Sequence, residues 1–416
     1  MKRLIIILVA ICFLFTLISC GKQGDTNDTS SDKDVEIKVE NSNDTTTEWE
    51  EIIIGEITED INSDTGEWDD FPEVVGSQGL DFYLINYGEK TCSVSGLGTC
   101  TDKDIIIPSK SPQGWRVIEI GSSSFNNTDI VSVTLHSGIV AIGAMAFDGC
   151  KNLKDVNFSE NGLKKIGGYA FSKCTSLEYI EIPDSVEELG ISAFGECTAL
   201  SDFVLGNGIK ELYNTFYKCT GLTTVNIPDT IEIIGEGTFD SCTELTCVTI
   251  PNSVKEIGGS AFYDCSRLTS ITLPDSVTKI GNGAFIGCKG LTEIAIPDSV
   301  NEIGVKAFWY CSNLSVVSLG TGIKAIGNWA FSDSAIKEIV IPDGVNLIGD
   351  STFQACRKLE KVTIPKSVTK IGNMAFQACQ SLKNIYYFGN EVEWKTIEIG
   401  EYNSGLDQAN IAYNGQ

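Results

Sequence analysis

Apolar residues recur along most of this chain with a period of about 23 residues, while the polar residues between them vary. One copy of the pattern, residues 268–290, reads LTSITLPDSVTKIGNGAFIGCKG. A fixed period of this length predicts a solenoid, in which each coil covers the apolar face of its neighbour. A phenylalanine marks each of twelve copies, 22 to 24 residues apart: Phe125, Phe147, Phe171, Phe194, Phe216, Phe239, Phe262, Phe285, Phe308, Phe331, Phe353 and Phe376.

The first half of each copy predicts a short strand followed by a turn. Ile271 and Leu273 are two residues apart, so their side chains share one side of a strand and are expected to face the core. Pro274 has no N–H group with which to continue a ladder, and Asp275 and Ser276 favour a turn. Because stacked coils place equivalent strands side by side, we expect one long parallel sheet on a concave face.

The second half of each copy predicts the other side of the coil. Gly281 permits a tight bend at positive φ, and the segment NGAFIGC fits one helical or 3₁₀ turn with Phe285 pointing inward. The predicted fold class is therefore a β-rich solenoid, with a parallel sheet on one side and short turns or single helical turns on the other. Four residues stand where other copies have proline and are expected to loosen their turns: His136, Ser159, Gly206 and Gly320.

The outward strand positions form a candidate recognition surface, because they are not needed for the core. Most of them are small, polar or hydroxylated, as at Thr224. Tyr179 differs, since Asp155, Glu181 and Asp202 are expected beside it. Tyrosine is among the residues that contribute most to protein interfaces. We therefore interpret these four residues as a candidate ligand-binding site, and the acidic charge favours a partly basic partner.

Ten cysteines form a ladder, each three residues after a marker phenylalanine. Equivalent side chains in stacked coils point the same way, which leaves their Cβ atoms farther apart than the roughly 3.8 Å that a disulfide prefers. We therefore expect free, buried thiols rather than disulfides or metal ligands. The ladder consists of Cys150, Cys174, Cys197, Cys219, Cys242, Cys265, Cys288, Cys311, Cys356 and Cys379.

Three further cysteines allow more than one interpretation. Cys92 and Cys100 lie eight residues apart before the repeats and could bridge a hairpin or remain separate thiols. Cys247 falls at an outward strand position in the segment LTCVTI. It could be a reactive surface thiol or a tolerated small residue.

Charge and histidine content exclude several classes of function. The net charge is -26, and residues 21–75 hold 18 Asp and Glu against three Lys. We do not expect a nucleic-acid partner, since nucleic-acid binding depends on Lys and Arg to neutralise phosphates. His136 is the sole histidine, which argues against Ser-His-Asp catalysis and against multi-histidine metal sites. We expect neither an enzyme nor a bound cofactor or metal.

The first twenty residues, MKRLIIILVAICFLFTLISC, have the pattern of an export signal. Lys2 and Arg3 precede a short apolar run, and Ser19 precedes Cys20. The end of this segment, LISCGK, resembles a bacterial lipobox, in which the cysteine is lipidated and becomes the mature N-terminus. Cys20 is therefore the predicted lipidation site. An uncleaved anchor and an ordinary signal peptide are the alternatives.

The repeat L-x-x-I-x-I-P-x-x-V-x-x-I-G-x-x-A-F-x-x-C resembles the BspA-like leucine-rich repeat over about residues 80–416. The segments before and after the repeats are similar to the caps of that family. The predicted organisation is a signal peptide (1–20), an acidic disordered tether (21–75), an N-terminal cap (76–125), the repeats (126–383) and a C-terminal cap (384–416). Caps are expected because a bare solenoid end exposes apolar core.

The resemblance implies a protein of the bacterial cell surface, held at the membrane by its lipid, that mediates adhesion by binding proteins or glycans. The alternative is an architectural role in the envelope or between cells, without a specific ligand.

Overall fold

The described chain folds as a stack of coils that carries two rows of parallel strands. The computed structural model describes residues 73–158 and 162–414, all within one compact unit. Each repeat contributes one strand of about three residues and a later strand of two residues, and equivalent strands of successive coils lie side by side. The solenoid predicted from the repeat is confirmed. The second row is an addition to the expected single sheet.

The first strand row follows the L-x-x-I-x-I part of the repeat. In most of its strands the middle residue is buried and its two neighbours face solvent, as the alternation of side chains predicts. Its fourteen strands in the described residues are Asp104–Ile106, Ser132–Thr134, Asp155–Asn157, Tyr179–Glu181, Asp202–Val204, Thr224–Asn226, Cys247–Thr249, Ser270–Thr272, Glu293–Ala295, Val316–Ser318, Glu338–Val340, Lys361–Ile364, Asn384–Tyr387 and Asn410–Tyr413.

The first row is interrupted, so the expectation of one long sheet is wrong. Hydrogen bonding divides the row into ladders of three, two, three, two and four strands. A proline or glycine ends most of these strands after about three residues, so neighbouring strands share few hydrogen bonds. A small local change in coil spacing is then enough to interrupt the pairing. The first interruption separates Asp155–Asn157 from Tyr179–Glu181.

The second strand row begins in the N-terminal cap, where Asp81–Asn86 and Thr91–Gly96 pair as an antiparallel hairpin. Exposed ion pairs connect its neighbouring strands, as between Lys279 and Glu256 at 2.9 Å. Such pairs contribute about 0–1 kcal/mol each. Hydrogen bonding divides this row into sheets of six and nine strands, with the break between Glu188–Leu189 and Glu211–Leu212. The row continues through Arg116–Ile120, Ala141–Ile142, Lys165–Ile166, Glu188–Leu189, Glu211–Leu212, Ile233–Ile234, Glu256–Ile257, Lys279–Ile280, Glu302–Ile303, Ala325–Ile326, Leu347–Ile348, Lys370–Ile371 and Glu398–Ile399.

The remaining side of each repeat is built from β-turns. In residues 268–290, the amide of Cys288 donates to the carbonyl of Phe285 at 3.2 Å, and Gly283 and Gly287 have φ of 64° and 70°. These positive values are incompatible with a right-handed helical turn. The Phe285 amide also donates to the Ala307 carbonyl of the next coil at 2.8 Å. The expected helical turn is therefore wrong, and the alternative of short turns is confirmed.

Close approach between coils explains several glycines. A Cβ atom on Gly281 would lie 2.5 Å from the Gly259 nitrogen, and its φ is not in the positive range expected from the sequence. A Cβ on Gly206 would lie 2.1 Å from the Pro183 carbonyl oxygen, and Gly320 is similarly crowded. At Gly206 and Gly320 the chain therefore packs tightly on the preceding coil, whereas looser turns at the positions without proline stay a prediction, and Ser159 lies outside the described residues.

The twelve marker phenylalanines form a continuous spine through the core. All are fully buried. Successive ring centroids are 5.1 to 5.9 Å apart, and the ring planes differ by 1° to 19°. This separation is close to the spacing of neighbouring strands, so the rings follow the advance of the coils.

The ladder cysteines hydrogen-bond the spine to the next coil. The thiol of Cys288 donates to the carbonyl of Phe262 at 3.1 Å, and the other nine make the same contact at 3.0 to 3.2 Å. None of the ten is in a disulfide, and all are buried, as predicted. Burial raises the pKa of these thiols, that of Cys311 to about 12. The hydroxyl of Ser334 occupies the equivalent place, 3.2 Å from the Cys356 sulfur.

The C-terminal cap continues both rows and contains two short helices, Glu391–Trp394 and Ser404–Asp407. The Trp394 ring meets Tyr387 edge-on, with centroids 5.3 Å apart. Thr363, an outward position by the alternation, is buried instead, because Tyr386 of the cap lies beside it in register.

Candidate binding site

An open groove lies where the first strand row is first interrupted. It has a volume of about 800 Å³ and is bounded by the strands Asp155–Asn157 and Tyr179–Glu181. Its lining residues are Lys154, Asp155, Val156, Asn157, Phe158, Ser176, Glu178, Tyr179, Ile180, Glu181, Ile182, Pro183, Asp184 and Val204.

Two departures from the repeat coincide with this groove. Phe147 and Phe171 are 24 residues apart, one more than the usual step, and Phe158 stands where other copies have a smaller aliphatic residue. Phe158 is half-buried and meets the Phe171 ring edge-on, with centroids 6.3 Å apart. We attribute the interruption to this local difference in coil geometry.

Tyr179 is held in place by its neighbour on the same strand. Its hydroxyl donates to Glu181 Oε2 at 3.0 Å, which is possible because residues two apart share one side of a strand. Its side chain is 44% exposed. Partial burial, the Glu181 hydrogen bond and the charges of Glu181 and Asp202 raise the pKa of Tyr179 to about 12. The tyrosine is therefore a neutral hydrogen-bonding group at physiological pH.

The structure brings the four predicted site residues to one region. Asp155, Tyr179 and Glu181 line the groove, whereas Asp202 lies just outside it on the neighbouring strand, paired in register with Tyr179. All four are exposed. Their participation in binding stays a prediction.

The carboxylates of this site are not paired with lysine or arginine. Within the described part of the chain, no ion pair forms at Asp155, Glu181 or Asp202. Elsewhere, coil-to-coil lysines neutralise such groups, as Lys361 does for Glu338 at 3.6 Å. The groove lining holds the carboxylates of Asp155, Glu178, Glu181 and Asp184 against the single ammonium group of Lys154, so the groove presents net negative charge.

The sequence reasoning missed Lys154 and Phe158, which also line the groove. Lys154 precedes its strand, so the alternation does not mark it. The one-residue insertion between Phe147 and Phe171 is the sequence signal that could have indicated a local irregularity.

The remaining candidate residues have local roles or lie elsewhere. The ring Nδ1 of His136 accepts from the Gly138 amide at 3.1 Å, and burial lowers the pKa of the imidazole. Cys92 and Cys100 are both buried and form no disulfide. Cys247 is half-buried in its strand, and its reactivity stays a prediction. Cys20 lies outside the described residues.

Residues 73–158 and 162–414 contain neither a metal-binding cluster nor a membrane-spanning helix. No group of three or more His, Cys, Asp or Glu side chains is arranged there to hold a metal ion. No helix in that part is long and apolar enough to cross a membrane.

Comparison with known families decides the class of repeat. The family described as the BspA type leucine rich repeat region matches residues 118–246, 211–337 and 301–403, which together exceed half of the chain. This chain belongs to the BspA-type leucine-rich repeat family. The resemblance inferred from the repeat is thereby confirmed. A repeat scaffold of this family is suited to binding proteins. No curated protein matches the chain.

Several solved structures resemble this chain. A leucine-rich repeat protein from Bacteroides ovatus is 24% identical, with a TM-score of 0.56, over 82% of this chain and 99% of that one. A leucine rich cell surface protein from Faecalibacterium prausnitzii is 25% identical, with a TM-score of 0.46, over 79% and 98%. The pneumococcal vaccine antigen PcpA is 20% identical, with a TM-score of 0.47, over 83% and 88%. The first likeness supports the fold alone.

Proposed function

We propose that this protein is an adhesion protein whose groove beside Tyr179 binds a protein partner that carries positive charge. The observation that carries the proposal is the exposed aromatic ring beside carboxylates that form no ion pair within the described chain. Charge complementarity of this kind speeds encounter and selects partners, while an aromatic residue supplies contact area. We propose a binding function rather than a catalytic one.

The test is a binding measurement against extracellular matrix proteins with the Tyr179→Ala and Glu181→Gln variants. We expect weaker binding in both, and a further loss at raised salt because exposed charges are screened. Melting temperatures should hardly change, since surface substitutions usually alter stability by less than about 0.5 kcal/mol.

Glu293→Gln is the matched control, because Glu293 occupies the Tyr179 position of a later strand and is also exposed. It should bind like the parent. Equal affinity of all variants for a bound partner would place recognition elsewhere. Failure of the parent protein to bind any partner would favour the architectural role.

We further propose that the protein is a lipoprotein anchored through Cys20 at the bacterial cell surface. The support is the export signal and the lipobox-like end of residues 1–20. The Cys20→Ala variant is expected to lose the lipid, and so to appear in the soluble fraction or accumulate unprocessed. The parent should partition into detergent. Identical fractionation and migration of the two proteins would contradict lipid anchoring.

A further inference from the structure

A second surface lies on the turn side of the repeats, away from the first strand row. The residue that follows each marker phenylalanine is the second residue of a β-turn, and its side chain is at least partly exposed in most coils, although Ser172 and Ser332 are buried. Side chains at this position touch along the stack, as where Gln354 Nε2 donates to Gln377 Oε1 at 2.7 Å. We call the set of these positions the turn column. Between residues 217 and 309 it consists of Tyr217, Asp240, Tyr263, Ile286 and Trp309.

The fold does not require aromatic residues in the turn column. Other coils carry Asn126, Ser172 or Gly195 there, with the same turn geometry. Tyr263 is nevertheless 39% exposed, and Tyr310, which follows Trp309, is 49% exposed. Tyr217 and Trp309 are half-buried. The exposed apolar area of these rings is removed from water only when a ligand covers it, which makes this band a candidate for recognition.

The spacing of the rings matches a polymer with a repeat of two units. Tyr217, Tyr263 and Trp309 occupy every second coil. In the spine, the Phe239 ring centroid lies 5.6 Å from that of Phe216 and 5.4 Å from that of Phe262, so two coils span roughly 10 to 11 Å. Two consecutive rings of an extended β-1,4-linked polysaccharide span a similar length. Aromatic side chains two coils apart would then stack on every second sugar ring of the polymer.

Charged groups of both signs accompany the rings. The carboxylates of Asp240 and Asp264 act on Tyr263, because their charges add to burial in raising the pKa of its hydroxyl. Lysine ammonium groups lie over one face of three of the rings: Lys218 is 4.9 Å from the Tyr217 centroid, Lys306 is 5.0 Å from the Trp309 centroid, and Lys289 is 5.0 Å from the Tyr310 centroid. A sugar that stacks on those faces must displace the lysine side chains.

This balance of charge favours an uncharged ligand. Sulfated glycans and nucleic acids would meet the two carboxylates, and strongly basic proteins would meet the lysines. A neutral polysaccharide is rich in hydroxyl groups, which can donate to carboxylates and accept from ammonium groups at the same surface.

We propose that the aromatic band formed by Tyr217, Tyr263, Trp309 and Tyr310 binds a neutral, extended β-1,4-linked polysaccharide. The chain would lie along the stack and contact a ring at every second coil. This site is separate from the groove beside Tyr179 and does not depend on the function proposed for it.

The test measures retention of the full-length protein on insoluble chitin and cellulose, followed by titration with their soluble hexasaccharides. The parent protein is expected to bind at least one of the two. Tyr263→Ala and Trp309→Ala together should weaken binding roughly tenfold or more, because each ring removed loses its stacking contact. Tyr263→Phe keeps the ring and should bind within a few-fold of the parent.

Two controls make the outcome decisive. Tyr169→Ala removes a ring of similar exposure from a turn outside the band, and Tyr179→Ala removes the groove aromatic, so both should bind polysaccharide like the parent. A melting curve confirms that each variant is folded. If the half-buried Trp309 proves necessary for folding, Tyr263→Ala alone carries the test. No retention of the parent, equal binding of the ring-deleted variants, or preference for heparin would each overturn the proposal.

Discussion

The ladder cysteines show how one residue type meets several demands of a stacked fold. The side chain must be small enough for the inside of a tight turn, and its thiol donates to the carbonyl of the marker phenylalanine in the preceding coil. Serine stands at the same place at Ser334, where it is buried with its hydroxyl 3.2 Å from the Cys356 sulfur, which indicates that the position needs a small polar side chain rather than sulfur chemistry. The sequence alone predicted burial and the absence of disulfides, but not the hydrogen bond.

We expect the ladder thiols to be unreactive in the folded protein. Burial excludes reagent, and the raised pKa of thiols such as Cys197 and Cys311 keeps the thiolate, the reactive form, scarce at neutral pH. Iodoacetamide followed by intact-mass analysis should show little labelling of Cys265 and Cys288 until denaturant is added.

Unfolding without reductant serves as the control, since free thiols should then all become available. Incomplete labelling under those conditions, restored by a reductant, would reveal disulfides and contradict the structure. A Cys288→Ser variant should fold, because the hydroxyl can donate to the Phe262 carbonyl in the same way.

At the scale of the element, the distance between coils governs which residues are allowed. The glycine that follows the second strand lies against the backbone of the preceding coil, and a methyl group there has no room. The period of the sequence reveals that this glycine recurs, but a recurring glycine is compatible with either positive φ or close approach. Only the three-dimensional stack shows that close approach is the reason.

Two adjacent glycines test this explanation. A Cβ on Gly167 would lie 2.6 Å from the Ala144 nitrogen, whereas a Cβ on Gly168 would be at an ordinary 3.4 Å from Ile191. Gly167→Ala should therefore lower the free energy of unfolding by roughly 1–3 kcal/mol, the usual range for overpacking. Gly168→Ala should change it by less than about 1 kcal/mol. Urea unfolding followed by circular dichroism measures both, and equal effects would refute the packing argument.

At the scale of the whole molecule, a solenoid is stable only if its ends are covered. The C-terminal cap adds the last two strands of the first row and the last strand of the second row, and it packs Trp394 against Tyr387. Without it, the apolar interior beside Phe376 would face water together with unpaired strand edges.

Deleting residues 384–414 should therefore cause aggregation or a much lower melting temperature. The matched control deletes residues 21–72, whose acidic composition predicts no apolar core, and should leave the melting temperature unchanged. Size-exclusion chromatography and differential scanning calorimetry report both properties. A monodisperse protein with an unchanged melting transition after removal of the cap would show that the last repeat is stable without a cap.

The sequence by itself determined the features that depend on periodicity. The 23-residue period required a solenoid, the alternation within ITL placed Ile271 and Leu273 inward, and the spacing of three from each marker phenylalanine put the cysteines in one buried ladder. These inferences succeed because each coil repeats the same local geometry, so a pattern in the chain becomes a pattern in space.

The tertiary structure decided what depends on distances between coils. Local patterns do not encode whether neighbouring three-residue strands are close enough to pair, so the interruption beside Tyr179 and the groove that it opens follow from packing. The same holds for Thr363, which Tyr386 of the cap buries, and for Tyr263 and Trp309, two coils apart. Residues 46 positions apart become neighbours on one surface only because the coils stack at the spacing of β-strands.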